Sequence, residues 1–214
     1  VRLDESQRGR EVLLLTEGDA RQVPWSNGRG VTAELAVWPP GASLEHGDFD
    51  WRISCAPVDE PGPFSTLPGI ERILVLTDGA GLELEHGDQA PRAWLRRLEP
   101  YRFSGAWPTS ATLPSGPVRD FNVMFSPERL DAEVTTLALG ERRLRETLRP
   151  GHAFVHVLGG SLTARVTGEE HAFELEPGDS LWARGLAGGE ELDVVGHTPG
   201  LAVLLVTLAG CERS

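Results

Sequence analysis

Apolar residues recur in short alternating runs, separated by glycine, proline and aspartate, which is the pattern of strands and turns. Val31–Trp38 alternates and stops at Pro39-Pro40, which cannot extend a ladder. Phe49–Ala56 alternates and meets Pro57, while Glu11–Thr16 starts a strand with Val12 and three leucines. Two hairpins are predicted. One joins Ile73–Leu76 to Leu82–Glu85 through Asp78-Gly79, and the other joins Phe154–Leu158 to Leu162–Val166 through Gly159-Gly160. Leu175 to Trp182 reads as a tight turn entering a strand, and Leu201–Leu208 as a buried strand. The one helical signal is a capped first turn at Ser126-Pro127-Glu128.

The two hairpins lie about eighty residues apart, an internal duplication that favours two similar β units over one continuous sheet. The expected organisation is a polar lead over residues 1–10, a first barrel over 11–125 and a second over 126–214. Glycine and proline supply roughly a fifth of the chain, which fits many short strands and argues against helical bundles. No apolar run approaches the ~20 residues of a membrane helix.

Charge narrows the partners. The 214 residues carry a formal net charge of −12, a surface that repels phosphate backbones and anionic lipids. Neither a nucleic acid nor a membrane is therefore an expected partner. All 20 basic residues are arginine, so Schiff-base chemistry through a lysine is excluded. Two distant cysteines, Cys55 and Cys211, and no leader pattern set a cytoplasmic location with free thiols as the expectation; a single Cys55–Cys211 bridge is the alternative.

No Gly-x-Ser-x-Gly elbow, P-loop, Gly-x-Gly-x-x-Gly turn or His-Glu-x-x-His motif is present. Among six histidines, His152 and His156 are four apart and share a strand face. They are the candidates for a metal, but no third ligand is demanded by the spacing, and no metal or other cofactor is expected.

Three polar stretches carry the candidate chemistry. In Pro24 to Glu34, Gly28 and Gly30 permit close backbone approach, Asn27 both donates and accepts, and Thr32 and Glu34 share a strand face. This is either a ligand-facing loop or an ordinary turn. In Phe49 to Cys55, one face is apolar and the other holds Asp50, Arg52 and Ser54. Turned into a barrel, Arg52 requires Asp50, Glu34 or an anionic ligand, and a planar guanidinium suits a small organic acid. In Gly116 to Met124, Asp120 and Asn122 sit on a face otherwise formed by Val118 and Met124, so they need partners there.

These stretches resemble the HutD/Ves family. Trp25-Ser26-Asn27-Gly28-Arg29-Gly30-Val31-Thr32-Ala33-Glu34 is similar to its glycine-rich motif, with Arg29 in place of a glycine, and Phe49 to Ala56 is similar to its Phe-Asp-Trp-Arg-Ile-Ser-x-Ala segment. Gly62 to Ser65, Pro68 to Arg72 and Gly116 to Met124 follow in the family's order. The resemblance implies an all-β fold of two cupin-type (RmlC-like) β-barrels in one chain, a bicupin. It also implies a link to histidine utilisation, with a metabolite such as urocanate or formylglutamate as ligand. The expected protein is non-catalytic and binds a small carboxylated metabolite in its first barrel. Arg52 holds the carboxylate, Asn27, Thr32 and Asn122 supply hydrogen bonds, and Glu34 and Asp120 orient those donors. The alternatives are a cupin isomerase, lyase or hydrolase with Glu34 or Asp120 as base, and an assembly role as a homodimer.

Overall fold

The computed structural model describes residues 9–25, 28 and 30–210. They form two compact units, one spanning Ala20–Leu130 and the other combining the residues up to Asp19 with those from Asp131 onward. The boundary reflects pairing. Strand β1 (Glu11–Leu15) runs antiparallel to β17 (Ser180–Leu186), with Leu15 opposite Ser180. The expectation that residues 11–19 open the first barrel is therefore corrected: β1 is an edge strand of the carboxy-terminal unit, and the amino-terminal unit begins with β2 (Arg21–Pro24).

In the amino-terminal unit a six-stranded sheet has the order β2, β3 (Val31–Trp38), β4 (Trp51–Val58), β11 (Val118–Phe125), β6 (Glu71–Asp78) and β9 (Tyr101–Ser104). A four-stranded sheet has the order β5 (Gly62–Pro63), β10 (Ser110–Thr112), β7 (Leu82–Glu85) and β8 (Ala93–Leu95). The other unit has a five-stranded sheet, β1-β17-β14-β19-β12, where β14 is Gly151–Gly159, β19 is Ala202–Gly210 and β12 is Leu130–Ala138. Its second sheet is β13-β18-β15-β16, comprising Arg143–Thr147, Glu191–Gly196, Leu162–Val166 and Phe173–Leu175.

The duplication is visible strand by strand. The order β4-β11-β6-β9 is repeated as β12-β19-β14-β17, and β5-β10-β7-β8 as β13-β18-β15-β16. Each strand of the first set thus recurs eight strands later, with β2, β3 and β1 as additions at the edges.

Neither predicted hairpin pairs with itself. β6 lies between β11 and β9, β14 between β19 and β17, and the following strands β7 and β15 belong to the second sheet of their unit. The residues of both central strands are buried on both faces, from Arg72 to Leu76 and from His152 to Val157. Such strands take a neighbour on each side, so the tight turn carries the chain across to the facing sheet instead of back. Gly79 (φ 95°) and Gly160 (φ 79°) make these corners. Strand β4 also continues through Pro57, which lies beyond the last β3 partner at Cys55, where a missing N–H is tolerated. The helical signal after Ser126 proves to be a turn, closed by Arg129 N–H and Leu130 N–H donating to Ser126 O. None of the described helices is long and apolar enough to cross a membrane.

The carboxy-terminal interior is filled by aliphatic side chains, among them Val155, Val157, Leu181, Val203 and Leu205. The amino-terminal interior has a comparable cluster, with Leu74, Leu76, Leu82, Leu84 and Phe103, but it also encloses polar and charged side chains, among them Glu34, Arg52, Arg72, Asp120 and Asn122.

Gly160→Ala is expected to be among the costlier glycine replacements. A Cβ there would lie 2.3 Å from Thr198 Oγ1 and 2.8 Å from Leu201 Cα. Gly116 (φ 92°) faces open space, so Gly116→Ala incurs only the left-handed backbone term of roughly 1–2 kcal/mol. Urea unfolding of the two variants should rank Gly160→Ala clearly below Gly116→Ala.

Candidate functional site

Register brings the candidate residues to one face of the six-stranded sheet. Opposite residues in antiparallel pairs point to the same side. Met124 of β11 stands between Arg52 of β4 and Arg72 of β6, and Asn122 between Ser54 and Leu74. Asp120 stands between Ala56 and Leu76, while Glu34 of β3 lies opposite Ser54. Phe103 and Tyr101 of β9 continue the rows beyond Arg72 and Leu74. Leu74, Leu76 and Phe103 of this face belong to the apolar interior cluster.

The polar members of this face are almost completely buried: Arg52 is 2% exposed, Arg72 3%, Glu34 4%, Asp120 4% and Asn122 5%. Charges in such surroundings must be matched. Glu34 matches the first guanidinium, with Oε2 2.5 Å from Arg52 Nε. Its Oε1 lies 2.7 Å from Nη2 of the largely exposed Arg21, which also donates through Nε. Arg52 Nη1 donates to Ser54 Oγ at 3.1 Å. Both oxygens of Glu34 are thus engaged, and Arg52 is already neutralised.

Arg72 is held differently. Its guanidinium lies 4.7 Å from the centre of the Phe64 ring and 5.4 Å from that of Phe103, and its buried Nε has no hydrogen-bond partner. Aromatic faces attract a cation but accept no in-plane hydrogen bond. Burial and the neighbouring Arg52 lower its pKa to about 10 against the opposing pull of Asp120, so it remains cationic at neutral pH. Desolvation drives Asp120 the other way, to about 7, although Arg72, the Ala56 N–H and Arg52 all favour its ionised form. Asn122 Oδ1 is also buried without a partner.

A second constellation adjoins the guanidinium. His86, fully buried, hydrogen-bonds through Nδ1 to Thr109 Oγ1 at 2.9 Å and through Nε2 to the Tyr101 hydroxyl at 3.0 Å. Its ring packs on Tyr101, Phe103 and Trp107. Burial pulls the His86 pKa down and pushes that of Tyr101 up, which keeps both neutral near pH 7.

The remaining candidates occupy distinct places. The glycine motif lies in the connection from β2 to β3, where Trp25 N–H donates to Gly30 O and Trp25 Nε1 donates to Thr32 Oγ1 at 2.8 Å. Thr32 is thereby tied to the loop rather than to Arg52. Asn27, Arg29 and Cys211 lie outside the described residues. Cys55 is free, and burial and Asp120 push its thiol up to about 12, the condition of an inert sulfhydryl.

His152 and His156 alternate with Ala153, Val155 and Val157 and so face away from the barrel interior. His156 Nδ1 is bonded to Ser180 Oγ at 2.9 Å, and Trp182 Nε1 donates to His152 Nδ1 at 3.3 Å. Among the described residues no three metal-ligand side chains gather. The positions that correspond to Arg72, Asp120, Asn122 and Met124 in the second unit, read through the paired registers, are Ala153, Val203, Leu205 and Thr207. The buried charges therefore belong to the first unit.

Arg72 and His86 were not singled out by residue pattern. The signal for Arg72 is its place in Glu71-Arg72-Ile73-Leu74-Val75-Leu76. A strand apolar on both faces buries an arginine whichever phase it takes. For His86, contact with Thr109 and Tyr101 arises from strands distant in sequence, and no local spacing announces it.

An all-β unit of two sheets that occurs twice in the chain, with the same strand order each time, is the arrangement of a cupin-fold protein. The same fold is seen in Ylba from Escherichia coli at 12% identity, with a TM-score of 0.69 over 95% of this chain and 92% of that one. The chain belongs to the HutD family, whose family model matches residues 17–200. It is similar to the protein Ves of Cronobacter sakazakii, at 34% identity over 67% of this chain and 76% of that protein. An uncharacterized 21.2 kDa protein of the hutC 3′ region in Pseudomonas putida is 36% identical over 58% of this chain, and the matched stretch spans 63% of that relative. HutD from Pseudomonas fluorescens SBW25, determined in a formate condition, is similar at 30% identity, with a TM-score of 0.76 over 94% of this chain and 100% of that one.

Two outcomes follow for stability. Glu34→Gln strands the Arg52 guanidinium and should cost about 3–5 kcal/mol, whereas Arg21→Ala removes only a solvent-screened contact and should cost well under about 1 kcal/mol; equilibrium unfolding of both variants measures the gap. The second concerns acid. Burial lowers the His156 pKa to about 4, so this histidine is neutral in the folded chain and protonates first in the unfolded one. Its contribution is complete above pH 6.5 and is lost as the pH falls towards 4, on the order of 3 kcal/mol in all. Denaturation midpoints taken between pH 7 and pH 4 should fall for the parent and less steeply for His156→Gln.

Proposed function

We propose that this HutD-family chain binds a small carboxylated metabolite of the urocanate or formylglutamate class on the inner face of its amino-terminal barrel. Sensing or sequestering that metabolite would be its contribution to histidine utilisation. The observation that carries this reading is Arg72, a buried cation whose Nε lacks a hydrogen-bond partner. A carboxylate is planar, anionic and able to take two parallel N–H bonds, so it supplies what the ring faces cannot. Asn122 Oδ1, buried and unpartnered on the same face, adds an acceptor for an N–H of the guest. The family membership supports the metabolic setting.

This assignment moves the anchoring role from Arg52 to Arg72. With Nε on Glu34 and Nη1 on Ser54, Arg52 stabilises the floor of the site and offers the guest only its remaining donors. A net charge of −12 favours action through the metabolite over contact with an operator.

The enzyme reading keeps one specific support. Asp120, raised to about 7, is matched to proton transfer near neutral pH, whereas Glu34 has both oxygens occupied. Incubation with urocanate and with N-formylglutamate, followed by absorbance and chromatography, separates the two. Unchanged ligand recovered from the complex is expected, and turnover abolished by Asp120→Asn would install the enzyme.

Thermal-shift and calorimetric titration with the same two acids test the binding site. Arg72→Met keeps a long side chain between the rings and removes the charge. It should weaken binding at least tenfold, while undiminished affinity in a folded Arg72→Met protein would remove Arg72 from the site.

A further inference from the structure

We propose that the amino-terminal site takes up its carboxylate together with one proton, and that Asp120 carries the proton. The proposal rests on the carboxylate reading above and adds the charge state in which the acid is accepted. It begins from a count of buried charge. Arg52 and Arg72 contribute two positive charges to this face, and Glu34 and Asp120, when ionised, contribute two negative ones. Arg21, which reaches Glu34 from β2, is largely exposed and screened by solvent, so it is not a buried charge. A site with that balance is neutral. Placing a further carboxylate inside it would leave one buried negative charge uncompensated, the most costly arrangement a protein interior can hold. With a proton on Asp120 the site carries one positive charge, and the incoming anion restores neutrality.

Geometry decides which carboxylate takes the proton. Glu34 is clamped on both oxygens, by Arg52 at 2.5 Å and by Arg21 at 2.7 Å. Asp120 forms no ion pair of this kind among the described residues. It is served by the Ala56 backbone N–H and feels Arg72 and Arg52 only through space. Protonating Glu34 would break two charged contacts, whereas protonating Asp120 breaks none.

The surrounding groups do not compete. From β3 the site receives Glu34, from β4 Arg52, from β6 Arg72, and from β9 Tyr101 with His86 behind it, while Cys55 of β4, opposite Phe121, points to the other face. Arg119 precedes Asp120 on its own strand and is exposed. Arg72, at about 10, stays cationic at neutral pH, Cys55 is pushed up to about 12, burial raises Tyr101, and burial lowers His86. Asp120, pushed up to about 7 by burial, is the group poised to change charge near neutrality. A bound anion beside it favours the proton further. By linkage, affinity is greatest below pH 7 and falls by up to tenfold per pH unit above it.

Calorimetric titration with N-formyl-L-glutamate tests this: both carboxyl groups of that probe stay ionised between pH 6.5 and 8.5, so any proton taken up enters the protein. The charge count applies to the one carboxylate held in the site, the other staying in water. Measured at pH 8 in two buffers of different ionisation enthalpy, the parent protein should take up between about half and one proton per ligand. Its Kd should rise severalfold from pH 7 to pH 8.5. Asp120→Asn, neutral throughout, should show no proton uptake and a flat Kd across that range, and should bind more tightly than the parent at pH 8.5. Binding by the parent with no buffer-dependent heat would overturn the proton coupling and leave the carboxylate site standing. No binding heat even at pH 6.5 would overturn both. The parent measurement is decisive even if Asp120→Asn fails to fold.

Discussion

The amino-terminal barrel is organised around a problem of electrostatics. Two guanidiniums and two carboxylates share an interior face with leucines and phenylalanines, where an unmatched charge costs several kcal/mol. The structure meets that demand unevenly. Glu34 ties Arg52 to Arg21 through short charged contacts, while Arg72 has only ring faces and Asp120 only a backbone N–H close at hand. The first pair behaves as framework. The second pair holds back its full interaction, and that reserve is what a guest can use.

The comparison within the chain makes the same point. Two units share strand order and corner turns, yet among the described residues the charged side chains of the interior all belong to the first. Where β6 and β11 present Arg72, Asp120 and Asn122, the corresponding strands present Ala153, Val203 and Leu205. A packed aliphatic interior supplies stability through burial of apolar area. Duplication of a fold thus leaves one copy free to be a scaffold while the other carries polar chemistry.

Much of this was legible in the residues. The alternation in Val31–Trp38 and Phe49–Ala56 located strands, and the phase of Asp120 and Asn122 with Val118 and Met124 placed both on the interior face they occupy. Other features depended on distant partners. Asp78-Gly79 and Gly159-Gly160 are turns as the local chemistry requires, but whether a turn folds back or crosses to another sheet depends on what lies beside each strand, and β11 and β19 arrive later in the chain. Glu34 was one of three possible partners for Arg52 in the sequence, and only the pairing of β3 with β4 selects it. Arg72 escaped because a strand buried on both faces has no polar phase against which to read it.

The antiparallel contact between β1 and β17 imposes an order of events on synthesis. Glu11–Leu15 leaves the ribosome about 165 residues ahead of the strand it must meet, a wait on the order of ten seconds at ordinary elongation rates. Once Leu130 has emerged the unit spanning Ala20–Leu130 has all of its own strands, while the apolar ribbon at Val12 to Leu15 still waits for β17. Completion of the carboxy-terminal sheet therefore brings a late strand back to an early one, and a fragment cut after Leu130 would keep a strand with nowhere to dock.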